Sequence, residues 1–294
     1  MSKKNSTFKD YIELCKPRIT FFCIIMTAGG VVLAPGNITL LSFIMTLIGT
    51  AFSVSSANTF NMIYERESDK LMKRTRYRPI AMGRVKVMNA LIFATVLGIS
   101  SIFILSYFVN ILTAILSFAA IACYSLVYTP LKSKTPLALV IGAFPGAMPP
   151  LLGWTAVNNQ VDLAGLALFG VLFAWQMPHF IAIAIYHKDD YAKANIKVVP
   201  AVRGDRVAKT QAFFWSIALI LISFLLVPLK VGGLVYFIIA IGLGTWFLRL
   251  SILGLKKEMM PNWPRKFFLA SLVYLPVLVF ALVIDRFVWI LINN

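Results

Sequence analysis

Nine apolar runs, at residues 19–35, 38–64, 88–108, 111–129, 137–157, 163–187, 208–228, 232–252 and 267–291, leave this chain little room for anything else. At a rise of ~1.5 Å per residue, about 20 apolar residues cross the hydrocarbon core of a bilayer. In lipid every backbone N–H and C=O needs an internal partner, so each run reads as a helix. The alternation over ~10-residue segments that marks a membrane β-barrel is absent. The expectation is therefore all-α: a polytopic membrane protein with nine transmembrane helices, forming one domain over residues 1–294. Composition agrees, with 60% hydrophobic and 13% charged residues, against about 45–50% and 25% in soluble domains. A water-soluble enzyme, a disordered chain and a collagen-like fibre are excluded. Cys15, Cys23 and Cys123 have no paired spacing, which argues against a disulfide scaffold or a structural zinc site. Residues 1–18 resemble neither a cleavable signal peptide nor a transit peptide and read as a cytoplasmic N-terminal segment.

The charges orient the helices. Lys and Arg number 28 against 11 Asp and Glu, a net charge of +17. In a soluble protein that would point to nucleic acid. Here the basic residues sort by loop. With the N-terminus in the cytoplasm, 26 of the 28 fall on the cytoplasmic side, and only Lys230 and Arg286 fall outside. Such a split follows the positive-inside rule and gives N-in, C-out. Nucleic acid is not an expected partner; the lipid bilayer is. Nine of the eleven acids also lie on the cytoplasmic side, the exceptions being Asp162 and Asp285. The polar chemistry therefore gathers on one face, in loops 65–87 and 188–208.

A short internal repeat joins those two loops. Pro79 to Val85 resembles Pro200 to Val207, with both prolines and both glycines offset by 121 residues. The same offset carries Asp69 onto Asp190 and Glu65 onto Tyr186. It suggests two four-helix units plus one helix, with chance similarity as the competing explanation.

Several residues could carry chemistry. Asn58, Asn61, Glu65 and Asp69, spaced three, four and four apart, line one helical stripe. Two carboxylates and two amide oxygens form a hard-oxygen set suited to Mg²⁺, which keeps waters and bridges to phosphate oxygens. Helix ends become polar anyway, but Asn58 and Asn61 lie within the apolar run, where polar side chains are costly and usually face a cavity. Next come Lys70, Lys73, Arg74, Arg76 and Arg78, a topology signal of which one to three could clamp a diphosphate. Both histidines, His179 and His187, lie in one nine-residue window with Pro178, Tyr186, Asp189, Asp190 and Tyr191. Imidazole can ligate iron or carry protons, although a membrane histidine is often a packing residue. Tyr128 and Lys132 are spaced i, i+4 at a helix end, where interfacial anchors are ordinary. Gly142 to Pro150 is rich in Gly, Ala and Pro, which suits close helix packing or an irregular wall beside a bulky ligand.

The run Asn61-Met-Ile-Tyr-Glu65-Arg-Glu-Ser-Asp69, continuing to Pro79, resembles the first Asn/Asp-rich motif of the UbiA superfamily of intramembrane prenyltransferases. So do Lys16-Pro17-Arg18-Ile19-Thr20, Tyr128-Thr129-Pro130-Leu131-Lys132, the Pro/Gly run with Gly153-Trp154, Pro178-His179-Phe180, and Asp190-Tyr191-Ala192 leading to Val199-Pro200. The likeness spans roughly residues 14–210 and is greatest to members that farnesylate heme. The resemblance implies a nine-helix fold with a central cavity in a bacterial inner membrane, its active site toward the cytoplasm. It implies Mg²⁺-dependent transfer of a farnesyl group from farnesyl diphosphate to a vinyl group of heme B, giving heme O and diphosphate. Carried over, Asn61, Glu65 and Asp69 would hold the Mg²⁺–diphosphate. Asp190 would serve a second metal or phosphate site, and Arg74, Arg78 and Lys132 would contact phosphate. Asn58, Tyr128, Tyr186 and His187 are expected to line the substrates, and His179 to ligate or orient heme. A complex with a downstream heme-modifying or oxidase-assembly protein is a further expected partnership. Two departures stand out. Glu65 replaces the more usual Asp, and the second motif reads Tyr186-x-x-x-Asp190 where relatives with aromatic acceptors pair two Asp. The alternatives are a family member acting on a quinone or chlorophyll precursor and, from another class, a secondary transporter.

Overall fold

A computed structural model describes residues 6–256 and 262–293, with side chains described to residue 288. Lys3, Lys4, Lys257 and Glu258, counted above among the cytoplasmic charges, lie outside the described residues. The long helices are α1 (Pro17–Leu33), α2 (Leu40–Tyr64), α3 (Val87–Phe108), α4 (Ile111–Leu131), α5 (Ala138–Asn158), α6 (Leu163–Tyr186), α7 (Asp205–Leu225), α8 (Leu234–Leu255) and α9 (Trp263–Asn293). No strand occurs among the described residues. Eight of these helices are long and apolar enough to span a membrane. The count reaches nine when α1 is taken together with the short helix Phe8–Leu14, from which it is bent by 53°, as one span. The bend sits where Lys16 adopts φ +48° before Pro17, since a residue preceding proline is disfavoured in the helical region.

The apolar runs foretold the helices but not their ends. Short helices at Arg66–Leu71, Lys188–Lys193 and Val199–Val202 occupy the basic loops. A π-helical turn at Cys123–Tyr128 interrupts α4. At the opposite end, Thr39, Asn110 and Asp162 accept hydrogen bonds from Ser42, Thr113 and Gly165 N–H at the starts of α2, α4 and α6. The Asp285 carboxylate accepts one from the N–H of Gly233, the residue just before α8. Both acids that depart from the charge pattern are thus helix caps. They satisfy orphan N–H groups and favour the positive end of the helix dipole.

The repeat is real at the backbone. Adding 121 carries Gly83 onto Gly204, and both hold left-handed φ, at +71° and +83°. The short helix after α2 has its counterpart after α6, and each follows a break, at Glu65 and at His187. The neighbours repeat as well. α2 packs on α3 as α6 packs on α7, α3 on α4 as α7 on α8, and α4 on α5 as α8 on α9.

α5 sits centrally, against α1, α4 and α6. Its contact with α1 is backbone to backbone. A Cβ on Gly30 would collide with the Pro150 carbonyl, and one on Gly153 with the Thr27 carbonyl. Membrane helices gain from such small-residue contacts because apolar burial alone does not drive their association in lipid. An apolar pocket opens beside this contact, lined by Met26, Leu33, Pro150, Leu168, Leu172 and Leu278.

Candidate active site

The stripe on α2 survives the helix break. Glu65 has φ −83° and ψ 4°, which ends α2 and starts Arg66–Leu71. Yet Glu65 N–H still donates to Asn61 O at 2.9 Å and Asp69 N–H to Glu65 O at 2.8 Å. The i, i+4 rise is therefore continuous, and Asn61, Glu65 and Asp69 remain stacked. All three are buried, Asn61 and Asp69 at 1% exposure and Glu65 at 8%. Asn58, one turn deeper, is also buried, and its Nδ2 has no hydrogen-bond partner.

Three basic side chains reach this stripe from three other parts of the chain. Lys132, just past α4, donates to Glu65 Oε1 at 2.7 Å and lies 4.5 Å from the centre of the Tyr128 ring. Arg78, in loop 65–87, donates to both Asp69 oxygens at 2.8 and 2.7 Å and stands 3.7 Å from Glu65 Oε2. Lys16, at the bend before α1, donates to Asn61 Oδ1 at 3.1 Å. Asn61 Nδ2 donates to Thr129 Oγ1 at 3.3 Å, and the Thr75 hydroxyl donates to the Asp69 carbonyl at 3.1 Å. Lys16, Arg78 and Lys132 thus converge on the Asn61–Glu65–Asp69 stripe.

The electrostatics follow. Burial opposes ionisation of Glu65, but Lys132 above all, then Lys16 and Arg78, hold its carboxyl below the usual Glu range. Burial lifts the Asp69 carboxyl above the usual Asp value against the pull of Arg78. For Lys132, burial favours the neutral amine, yet Tyr128 and Glu65 raise its pKa and keep it an ammonium ion.

The donor set suits Mg²⁺ bound jointly with phosphate. No group of three or more His, Cys, Asp or Glu converges among the described residues. The protein offers two carboxylates and amide oxygens, which leaves positions for water and phosphate oxygens in an octahedral shell.

The second motif lies apart on the rim. Asp190, His187 and Tyr191 border a small cleft with Met72 and Arg74, and Arg74 reaches the Tyr191 hydroxyl at 3.5 Å. Burial, then Arg74, lower the His187 pKa, while Asp190 opposes them. Tyr186 is half exposed at the end of α6. The break at His187 separates it from Asp190, so the two do not share one unbroken helix. Loop 188–208 nevertheless reaches the segment after α4, since Lys197 N–H donates to the Lys132 carbonyl at 2.9 Å.

His179 belongs to neither cluster. Its Nδ1 pairs with Ser271 Oγ at 2.7 Å, and its ring stacks 4.6 Å from Trp175 and lies 4.9 Å from Phe268. Trp175 Nε1 donates to the Ser271 carbonyl at 2.8 Å, so both side chains tie α6 to α9. Nε2 is the ring nitrogen left for any other partner.

Lys16 is the site residue that sequence patterning alone does not single out. A lysine ahead of an apolar run looks like a topology residue. The signal was Pro17, which breaks the helix there and turns Lys16 toward α2.

The chain matches the model of the UbiA prenyltransferase family over residues 23–272. It is 43% identical over 277 residues to the protoheme IX farnesyltransferase of Myxococcus xanthus, covering 94% of each chain. It is 46% identical over 240 residues to the protoheme IX farnesyltransferase of Sorangium cellulosum, 82% of this chain and 86% of that one. Among solved structures, that of a digeranylgeranylglyceryl phosphate synthase in membranes superposes with TM-score 0.81 at 19% identity, covering 95% of this chain and 98% of that one. A UbiA homologue from Archaeoglobus fulgidus bound to GPP and Mg²⁺ superposes with TM-score 0.65 at 16% identity, covering 93% and 99%. At those identities the two structures speak for the fold.

Proposed function

The chain belongs to the UbiA prenyltransferase family, and on that premise we propose that it transfers a farnesyl group from farnesyl diphosphate to a vinyl group of heme B, giving heme O and diphosphate. The acceptor is supported by relatives such as that of M. xanthus, 43% identical over nearly the whole chain. The chemistry is supported by one observation: a buried stripe of amides and carboxylates on which three basic side chains converge.

Lys16, Arg78 and Lys132 bind the diphosphate and stabilise the negative charge that grows on it as the C1–O bond breaks. Arg74 meets it at the rim. Asn61, Glu65 and Asp69 would hold Mg²⁺, with Asp190 serving a second metal or phosphate contact and Asn58 uncommitted one turn below. When bound, Mg²⁺ neutralises charge on the leaving diphosphate. Tyr128 lines the site through its contact with Lys132, while Tyr186 and His187 border the substrate entrance. Apolar helix walls enclose farnesyl and porphyrin in a central cavity and keep water from the allylic cation. The vinyl π electrons form the new bond to farnesyl C1. Water then adds to the carbon beside the porphyrin and loses one proton.

The basic loops lie in the cytoplasm of a bacterial cell, in its inner membrane, with the N-terminus in and the C-terminus out. Heme O, still membrane-bound, passes to a downstream heme-modifying or oxidase-assembly protein. A transporter is disfavoured because Asp162 and Asp285, the acids at the far end, are committed as helix caps rather than to an outer gate.

Two results are expected. Purified protein given heme B, farnesyl diphosphate and Mg²⁺ converts the porphyrin, by mass, to a species carrying one farnesyl and one hydroxyl group. Prenylation of an aromatic acid with heme left untouched would favour the quinone-type alternative. His179→Ala weakens heme binding at least about tenfold, the cost of losing one good ligand interaction. Unchanged heme affinity and turnover would remove His179 from the heme site and leave it a packing residue.

A further inference from the structure

The two segments that deliver Lys16 and Arg78 are fastened to each other outside the site. The helix Phe8–Leu14 leads directly to Lys16, and loop 65–87 carries Arg78. Arg84 joins them. Its guanidinium pairs with Asp10 and, at 3.0 Å, with Glu13 on the short helix, and it donates to the Tyr77 carbonyl at 2.7 Å. Asp10 is buried at 3% exposure and also accepts from Thr7 N–H at 2.9 Å and the Thr7 hydroxyl at 2.8 Å. Beneath the ion cluster, Leu14, Met62, Ile80, Val85 and Ala90 form a small apolar core separate from the main one. Gly83, at φ +71°, makes the turn that presents Arg84.

We infer that Arg84, with Asp10 and Glu13, is a positioning device for the diphosphate site. One guanidinium fixes the N-terminal helix against the loop, and so sets Lys16 on Asn61 and Arg78 on Asp69 along the stripe. Tyr77 is adjacent to Arg78, so a hydrogen bond to its carbonyl restrains the backbone that aims Arg78. Arg84 itself bonds to none of the stripe residues. Only a fork of several N–H donors reaches two carboxylates and a carbonyl together, which a lysine cannot reproduce. The inference rests on the reading of the stripe as the prenyl diphosphate site.

The test compares wild type with Arg84→Met, Arg84→Lys and Asp10→Asn, using farnesyl diphosphate and heme B as varied substrates. Binding of a farnesyl thiolodiphosphate with Mg²⁺ is measured directly alongside. Arg84→Met is expected to raise KM for the diphosphate and to weaken thiolodiphosphate binding at least about tenfold, while KM for heme changes less than about twofold. Arg84→Lys should recover part of the loss. If Arg84→Met does not fold, Asp10→Asn gives the same reading, because it removes one charge and little volume. Diphosphate affinity within about twofold of wild type in a folded variant overturns the inference, as does an equal loss for both substrates. Failure of wild type itself to bind the thiolodiphosphate would instead overturn the functional reading.

Discussion

Asp69→Asn should abolish heme farnesylation, lowering turnover at least about 100-fold, on the scale of losing one preorganised charge-stabilising group. Asp69 is 1% exposed, and both its oxygens accept from Arg78. The amide keeps the shape and one acceptor but loses the charge a divalent cation needs. It also leaves Arg78 with Glu65, at 3.7 Å, as its remaining anion. Glu65→Gln should act alike, since it removes the anion that Lys132 holds at 2.7 Å. Diphosphate release in the presence of Mg²⁺ measures the loss. Thermal unfolding in detergent serves as the control, because removing one partner of a buried pair also costs stability. Both variants folded and fully active would mean that the stripe is not the site.

Gly153→Val should disrupt the fold itself. A Cβ at Gly153 would meet the Thr27 carbonyl and lie 2.8 Å from Val31 N, both backbone atoms of α1. Backbone cannot swing aside as a flexible side chain can, so α1 and α5 must separate. Overpacking of this kind typically costs about 1–3 kcal/mol and more where backbone resists. α1 begins beside Lys16, so the displacement also reaches the active site. The expected result is a sharp loss of monodisperse protein in detergent and a lowered Tm. Gly242→Ala, facing open space, is the matched control. Equal Tm values for the two variants would contradict the α1–α5 contact described above.

What the sequence disclosed depended on how local the physics was. Helices announce themselves through runs of apolar side chains, and their orientation through the basic loops, because both are properties of contiguous segments. The stripe at Asn61, Glu65 and Asp69 was legible for the same reason, as was the pairing of Gly83 with Gly204. Partners distant in sequence were not. Lys16 meets Asn61 across 45 residues and His179 meets Ser271 across 92, and nothing local to either marks the match. Arg84 is locally one more basic residue of a positive-inside loop, and its partners Asp10 and Glu13 lie 74 and 71 residues away. The two outlying acids, Asp162 and Asp285, became intelligible only once helix starts could be placed next to them. The repeat pairs Asp190 of the second motif with Asp69 of the first. Past the break at His187, Asp190 borders a small cleft with Arg74 of the other loop.

The most direct test is a structure of the protein with farnesyl thiolodiphosphate and Mn²⁺ in place of Mg²⁺, with the metal located by its anomalous signal. The account predicts a Mn²⁺ peak coordinated by oxygens of Asn61, Glu65 and Asp69, with the diphosphate against Lys16, Arg78 and Lys132. A metal and diphosphate bound elsewhere, with the Lys132–Glu65 and Arg78–Asp69 pairs intact, would contradict it.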